Sequence, residues 1–217
     1  MKGRATDHEA AATGVPRNDE LGQPGEPLLV EVAWEVCQQV GGIYTVIRSK
    51  VPTMVKRWGG RYIVVGPYDP ALSPGEFEEC PAPAGMAEVI EALGRQGIEA
   101  RFGTWLITGK PRTVLLDPDS AMARLAEAKY LIWEHHRISL PGEDALVNRV
   151  VAFGYAVELF LRELAGRLAS TRPIVAHFHE WMAATALPEI RHARLPIATV
   201  FTTHATSLGR YEAMADP

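Results

Sequence analysis

Short apolar runs of strand length recur along this chain with longer helical stretches between them, and this alternation restricts the possible folds more than any other feature. LLVEVAW (28–34) is such a run, followed through a short connection by the glycine pair Gly41-Gly42 and a helical stretch from about Ile43 to Trp58. RYIVVG, from Arg61 to Gly66, is a second buried-strand candidate closed by Gly66 and Pro67. Near the other end, PIVAHFHEW, a helix from about Met182 to His192, and LPIATVFTTHAT repeat the order strand, helix, strand. Alternation of this kind implies an α/β fold, a Rossmann-like parallel sheet with helices on both faces.

The middle of the chain fits that scheme with additions. Pro52 interrupts the first helix, which is expected to kink there or to end and restart. Leu72 to Gly85 reads as a Pro-rich connection, and Met86 to Gln96 as a helix. Ile98 to Phe102, Trp105 to Thr108 and TVLLD (113–117) are shorter strands, candidates for an antiparallel extension. Ser120 to Trp133 and Asp144 to Ala169 read as helices, the second with apolar residues at Val147, Val150, Val151, Tyr155, Leu159 and Leu161. Residues 1–26 are polar, rich in Gly and Pro and without period, and read as a disordered tail, leaving residues 27–217 as the domain.

Composition excludes several classes. With 217 residues, 47% hydrophobic and 22% charged, the chain has material for one sizeable core. The net charge of −4 is spread out, with no lysine or arginine block to track a phosphodiester backbone, so nucleic acid is not an expected partner. Cys37 and Cys80 lie far apart without metal-ligand spacing, which suits inert thiols in a reducing compartment. There is no apolar run of about eighteen residues and no signal-peptide pattern, so a cytoplasmic location with no membrane contact is expected.

In open α/β sheets, ligands bind at the carboxyl ends of the strands, where strand order reverses. Three polar clusters stand at such ends. Gly41-Gly42 opens the first helix, where glycine lets the backbone approach a phosphate and unpaired N–H groups favour an anion; a tight turn without any ligand would use the same residues. His177 and His179 share one face of their strand and, with Glu180 or His204, could form a metal pair of the HxHE kind. The alternative makes His177 a hydrogen-bonded core residue and Glu180 a helix-start charge, and leaves His179, nearest the strand tip, to meet a ligand. In the third cluster, Thr202-Thr203-His204-Ala205-Thr206, His204 and Arg210 could converge on a sugar nucleotide, Arg210 offering a planar donor fork to phosphate. The threonine hydroxyls could equally satisfy local backbone groups.

VAWEVCQQVGGIYTVIRSK, YIVVGPY, FGTWLI, VAHFHEWMA and FTTHATSLGRY, in this order, resemble consecutive blocks of the animal and fungal glycogen synthases that use UDP-glucose. The resemblance covers about Leu28 to Tyr211. It implies the N-terminal domain of a GT-B glycosyltransferase, two Rossmann-like domains facing across a cleft, and transfer of glucose from UDP-glucose to the 4-hydroxyl at the non-reducing end of glycogen or another α-glucan. Anomeric configuration would be retained, with no metal and no cofactor. It further implies that His204 and Arg210 contact the donor, that His179 lies at the sugar side, that Gly41-Gly42 closes near the phosphates, and that Asn148 faces the cleft. Gln39 stands where the family usually has a basic residue for the UDP phosphates, and a neutral amide supplies no charge there. The chain ends at Pro217, so the resemblance implies a truncated domain, inactive alone, whose C-terminal nucleotide-binding partner is absent. Whether the full-length parent is a homo-oligomer is open. The competing readings are a glucan- or partner-binding module without turnover and a metal-dependent hydrolase using the HxHE cluster. A dehydrogenase is disfavoured, because the loop reads VGGIY and not GxGxxG.

Overall fold

The computed structural model describes residue 21 and residues 24–204. Its strands are β1 (Leu28–Ala33), β2 (Tyr62–Pro67), β3 (Phe77–Glu79), β4 (Ala100–Trp105), β5 (Arg112–Leu116), β6 (Ile174–His179) and β7 (Ala198–Thr202). Its helices are α1 (Gly42–Trp58), α2 (Ala84–Arg95), α3 (Pro118–Ala121), α4 (Leu125–His136), α5 (Ala145–Leu168), α6 (Glu180–Ala184) and α7 (Leu187–His192). All the strands join one 7-stranded sheet in the order β3-β4-β5-β2-β1-β6-β7. β5, β2, β1, β6 and β7 run parallel, while β3 and β4 form the antiparallel extension at one edge.

Period-two alternation along β1 divides the core between two layers. Leu28, Val30 and Val32 face the side where α5 lies with α2 and α6, packing near Phe153, Phe160 and Leu164. Leu29 and Ala33 face α1, whose Tyr44, Ile47 and Val51 complete the second layer with Tyr62, Val64 and Trp105. Burying each such aromatic or aliphatic side chain contributes about 1.5–3 kcal/mol. β1 is central because the chain passes from it to β2 and β5 on one side and to β6 and β7 on the other. Strand order therefore reverses between β1 and β6, leaving a crevice at their carboxyl ends.

Several boundaries differ from those the sequence suggested. α1 runs through Pro52 without a break, and Gly109, at φ 96°, packs closely against the Pro52 backbone. In place of two strands over 98–102 and 105–108 there is one, β4 (Ala100–Trp105), and a turn in which the Lys110 N–H donates to Ile107 O leads into β5. The Pro-rich connection holds β3, paired with the end of β4. The helix expected over 182–192 is two, α6 and α7, because Pro188 begins the second and supplies no N–H to continue the first. Most of the expected tail lies outside the described residues, but Leu21 is buried in the core and the Gly25 N–H donates to Thr171 O at 2.8 Å, so packing reaches back before residue 27.

Candidate active site

The crevice holds a cavity of about 450 Å³, walled by Trp34, Glu35 and the Gly41–Ile43 turn on one side and by His179 to Met182 and His204 on the other. After β1 the chain turns sharply. A Cβ on Gly66 of β2 would lie 2.5 Å from the Val36 Cβ, so only glycine lets this loop sit against the sheet. Cys37 occupies the left-handed region at φ 56°, a conformation costing a non-glycine residue about 1–2 kcal/mol. Its thiol is buried, and burial pushes its pKa up, which makes it inert.

The loop fixes the start of α1 through Glu35. The N-cap, Gly41, has no side chain, and the Glu35 carboxylate takes over its role, accepting from Gly41 N–H at 2.7 Å and Tyr44 N–H at 3.0 Å. Gly42 has open space where a Cβ would stand, whereas a Cβ on Gly41 would come within 3.1 Å of Glu35 Oε1.

Beneath the cavity lies a buried polar row. Glu31, in the middle of the apolar β1, faces the α1 side and is wholly buried. It pairs with the Lys50 ammonium of α1, accepts from the Tyr62 hydroxyl, and lies 2.5 Å from His179 Nε2. Burial alone would raise the Glu31 carboxyl, but the hydrogen bond from His179 and the Lys50 charge together outweigh it and hold the pKa at about 2. His177, half-buried beside the same group, is lowered to about 4 by burial and by its neighbour His179. The row continues to the surface, with His179 Nδ1 lying 3.1 Å from His204 Nε2.

Hydrogen-bond valence orders this row. His179 Nε2 meets both the ionised Glu31, which can only accept, at 2.5 Å and the Lys50 ammonium, which can only donate, at 3.2 Å. The shorter contact makes Nε2 the donor to Glu31, which leaves the Nδ1 lone pair for the N–H of His204 Nε2. His204 Nδ1 is then an acceptor. Glu180 anchors the same tip: its backbone sits at φ 61°, and its carboxylate accepts from the His204 N–H and the Thr203 hydroxyl.

Four of the residues singled out in the sequence, Gly41, Gly42, His179 and His204, therefore line one cavity. Gln39 is exposed on the same turn but is not part of the wall. Asn148, on the first turn of α5, donates to Gly142 O at 3.1 Å and does not line the cavity; its Oδ1 is buried without a partner among the described residues. Arg210 and Thr206 lie outside the described residues. His177 hydrogen-bonds to the Thr202 hydroxyl at 2.8 Å, so Thr202 and Thr203 serve side chains and not the backbone. His177 and His179 do share a face, and their ligand atoms and that of Glu31 lie within 4.8 Å of one another. The Lys50 ammonium already supplies that carboxylate with its cation, and Glu180 is committed to His204, so the arrangement does not favour the HxHE metal reading.

Glu31, Lys50, Tyr62 and Glu35 were missed in the sequence. Glu31 carried a signal, since a carboxylate inside the apolar run LLVEVA is almost never buried unless paired. Lys50, in contrast, reads as an ordinary exposed helix position.

Strand order, a parallel centre and a cavity at the reversal define the class: a Rossmann-like α/β domain whose open site lies at the strand tips. Residues 31–216 match the glycogen synthase family, and the chain belongs to that family. It is 40% identical over 200 residues to the liver glycogen [starch] synthase of Rattus norvegicus, covering 91% of this chain and 28% of the relative. The Neurospora crassa glycogen [starch] synthase is 40% identical over 185 residues, 85% of this chain and 26% of that protein. For the Dictyostelium discoideum enzyme the identity is 37%, over 85% of this chain and 21% of the relative. The chain thus spans about a quarter of the length of these relatives. Among solved structures, the catalytic domain of starch synthase IV from Arabidopsis thaliana, bound to ADP and acarbose, is similar with a TM-score of 0.47 and 13% identity, over 84% of this chain and 34% of that one.

Proposed function

We propose that this domain forms one wall of the donor-sugar site of a retaining glucosyltransferase, one that moves glucose from UDP-glucose to the non-reducing end of an α-1,4-glucan. The observation that carries the reading is the hydrogen-bonded row from buried Glu31 through His179 to His204, opening beside the N-terminus of α1. Departure of UDP builds negative charge on the diphosphate and positive character at the anomeric carbon. Preorganised donors and acceptors lower such a barrier because they need no reorganisation during the step.

Glu35 takes the Gly41 and Tyr44 N–H groups, so the diphosphate is met by the first-turn N–H groups of Gly42 and Ile43, and Arg210 adds charge. Glu35 holds the glycine turn in shape for that approach. His204 presents Nδ1 as an acceptor to a glucose hydroxyl, while Glu31 and His179 fix its tautomer. The acceptor hydroxyl attacks on the face that UDP leaves, and the departing phosphate takes its proton. No step calls for a cofactor or metal. A cytoplasmic location accords with these substrates, and no helix among the described residues is long and apolar enough to cross a membrane.

The test is incorporation of labelled glucose from UDP-glucose into glycogen, with ADP-glucose as competitor, by this chain and by a chain extended through the downstream reading frame. Transfer by the extended chain, abolished in His204→Ala with Arg210→Ala, is the expected result. Glucan binding without transfer by either chain would instead mark a binding module.

A further inference from the structure

A second cluster of chemistry-bearing side chains lies away from the cavity, where the end of α4 meets α7. α4 closes with His135 and His136, and α7 presents Glu189 and ends at His192. Glu189 Oε2 lies 2.9 Å from His135 Nδ1, and its Oε1 lies 3.0 Å from His136 Nε2. The His135 and His192 rings stack with centroids 3.6 Å apart and planes at 6°. One nitrogen from each of the three histidines lies within 4.8 Å of the others. None of these residues lines the cavity described above.

Adjacent helical residues diverge by about 100°, so two consecutive histidines reach one carboxylate only by using different ring nitrogens. That is what His135 Nδ1 and His136 Nε2 do. Side-chain exposures of 24%, 23% and 16% for His135, His136 and Glu189 leave the group reachable from solvent yet held by its surroundings. Hydrophobic packing does not call for three imidazoles in one place, and protonating them would set cations against one another. The C-terminal end of α4 carries partial negative charge at this spot and favours a cation shared by the three imidazoles.

We propose that His135, His136 and His192 form a binding site for a divalent transition-metal ion that ties α4 to α7, with the Glu189 carboxylate holding the His135 and His136 rings in place. Three imidazoles suit the borderline ions zinc, nickel and cobalt; calcium and magnesium require mostly oxygen ligands. The His135 and His192 rings stack in parallel, so ligation of one ion by both turns one of them. His192 is exposed and has room to turn.

Titration calorimetry of the metal-free protein with ZnCl2 and with NiCl2 tests the site. One equivalent should bind, calcium and magnesium should not, and the melting midpoint should rise by roughly 5–10 °C at free metal a hundredfold above its Kd. His135→Ala and His192→Ala should each lower affinity at least tenfold while keeping the circular dichroism of the parent. Metal binding should persist in His177→Gln, which leaves this cluster intact. The proposal is overturned if the parent binds no stoichiometric zinc or nickel, or if His177→Gln abolishes binding that His135→Ala and His192→Ala retain. Should an alanine variant misfold, His135→Gln and His192→Gln replace it under the same criteria.

Discussion

At the scale of single residues, the row Glu31, His179, His204 runs from the core to the rim of the cavity. His204 is exposed at the strand tip, so His204→Ala should change stability by less than about 1 kcal/mol. On the proposed function, in which His204 meets the donor sugar, the same substitution should nevertheless lower kcat about 100-fold in a transfer-competent chain. Equal losses in kcat and in the urea midpoint would assign His204 a structural role. Glu31 behaves in the opposite way. Glu31→Gln leaves the Lys50 ammonium facing an amide and should destabilise the fold by about 3 kcal/mol, as removal of one partner from a buried ion pair does. The double variant Glu31→Leu with Lys50→Met removes both charges and should regain most of that stability without regaining transfer, because the His179 tautomer is no longer set. Urea denaturation of the three proteins, beside the glucose assay, distinguishes these outcomes.

Among elements, α1 bears most on the site, since its first turn is a cavity wall held by a carboxylate six residues upstream of Gly41. Glu35→Ala should cost about 1 kcal/mol, and amide exchange at Gly41 and Tyr44 should accelerate by about fivefold while exchange at Ile47 and Val51 stays slow. Unchanged exchange at Gly41 would mean that another group caps the helix. This contact illustrates which parts of the structure were legible beforehand. β1, β2, β6 and β7 could be read from apolar runs of strand length, and His177 and His179 from their spacing, because those signals are local. Glu35 gave no local signal as a cap, since its partners follow a loop whose path depends on Gly66 and on a left-handed Cys37. The single strand β4, which bridges the gap between the two expected strands, depended likewise on pairing with β3 and β5, and the unbroken course of α1 through Pro52 on packing against Gly109. Lys50 became part of the site only once α1 lay against β1.

Over the whole molecule, the buried row makes folding depend on pH in a defined direction. His177 is lowered from 6.5 to about 4 in the fold, so the unfolded chain binds its proton more readily. The stability it contributes is fully present above pH 6.5 and is lost as pH falls towards 4. Glu31 is lowered from 4.5 to about 2, so its contribution is present above 4.5 and is lost between there and 2. The Glu31 effect is on the order of 3 kcal/mol, and that of the half-buried, solvent-screened His177 is about half of that or less, against a total stability of about 5–15 kcal/mol for a domain. They overlap, because His177 faces Glu31, Lys50, His179 and His204 in one cluster, so acidification should weaken the protein continuously and not in separate steps. Urea midpoints should fall from pH 7 to pH 4.5, and His177→Gln should flatten that part of the profile while leaving the steeper loss below 4.5. A parent profile flat down to pH 4.5, or an unchanged slope in His177→Gln, would place the titrating group elsewhere. The same measurement on Glu31→Leu with Lys50→Met then isolates the lower window: with no carboxylate to protonate, the loss below pH 4.5 should shrink, and its persistence would show that acid unfolding begins outside the row beneath the cavity.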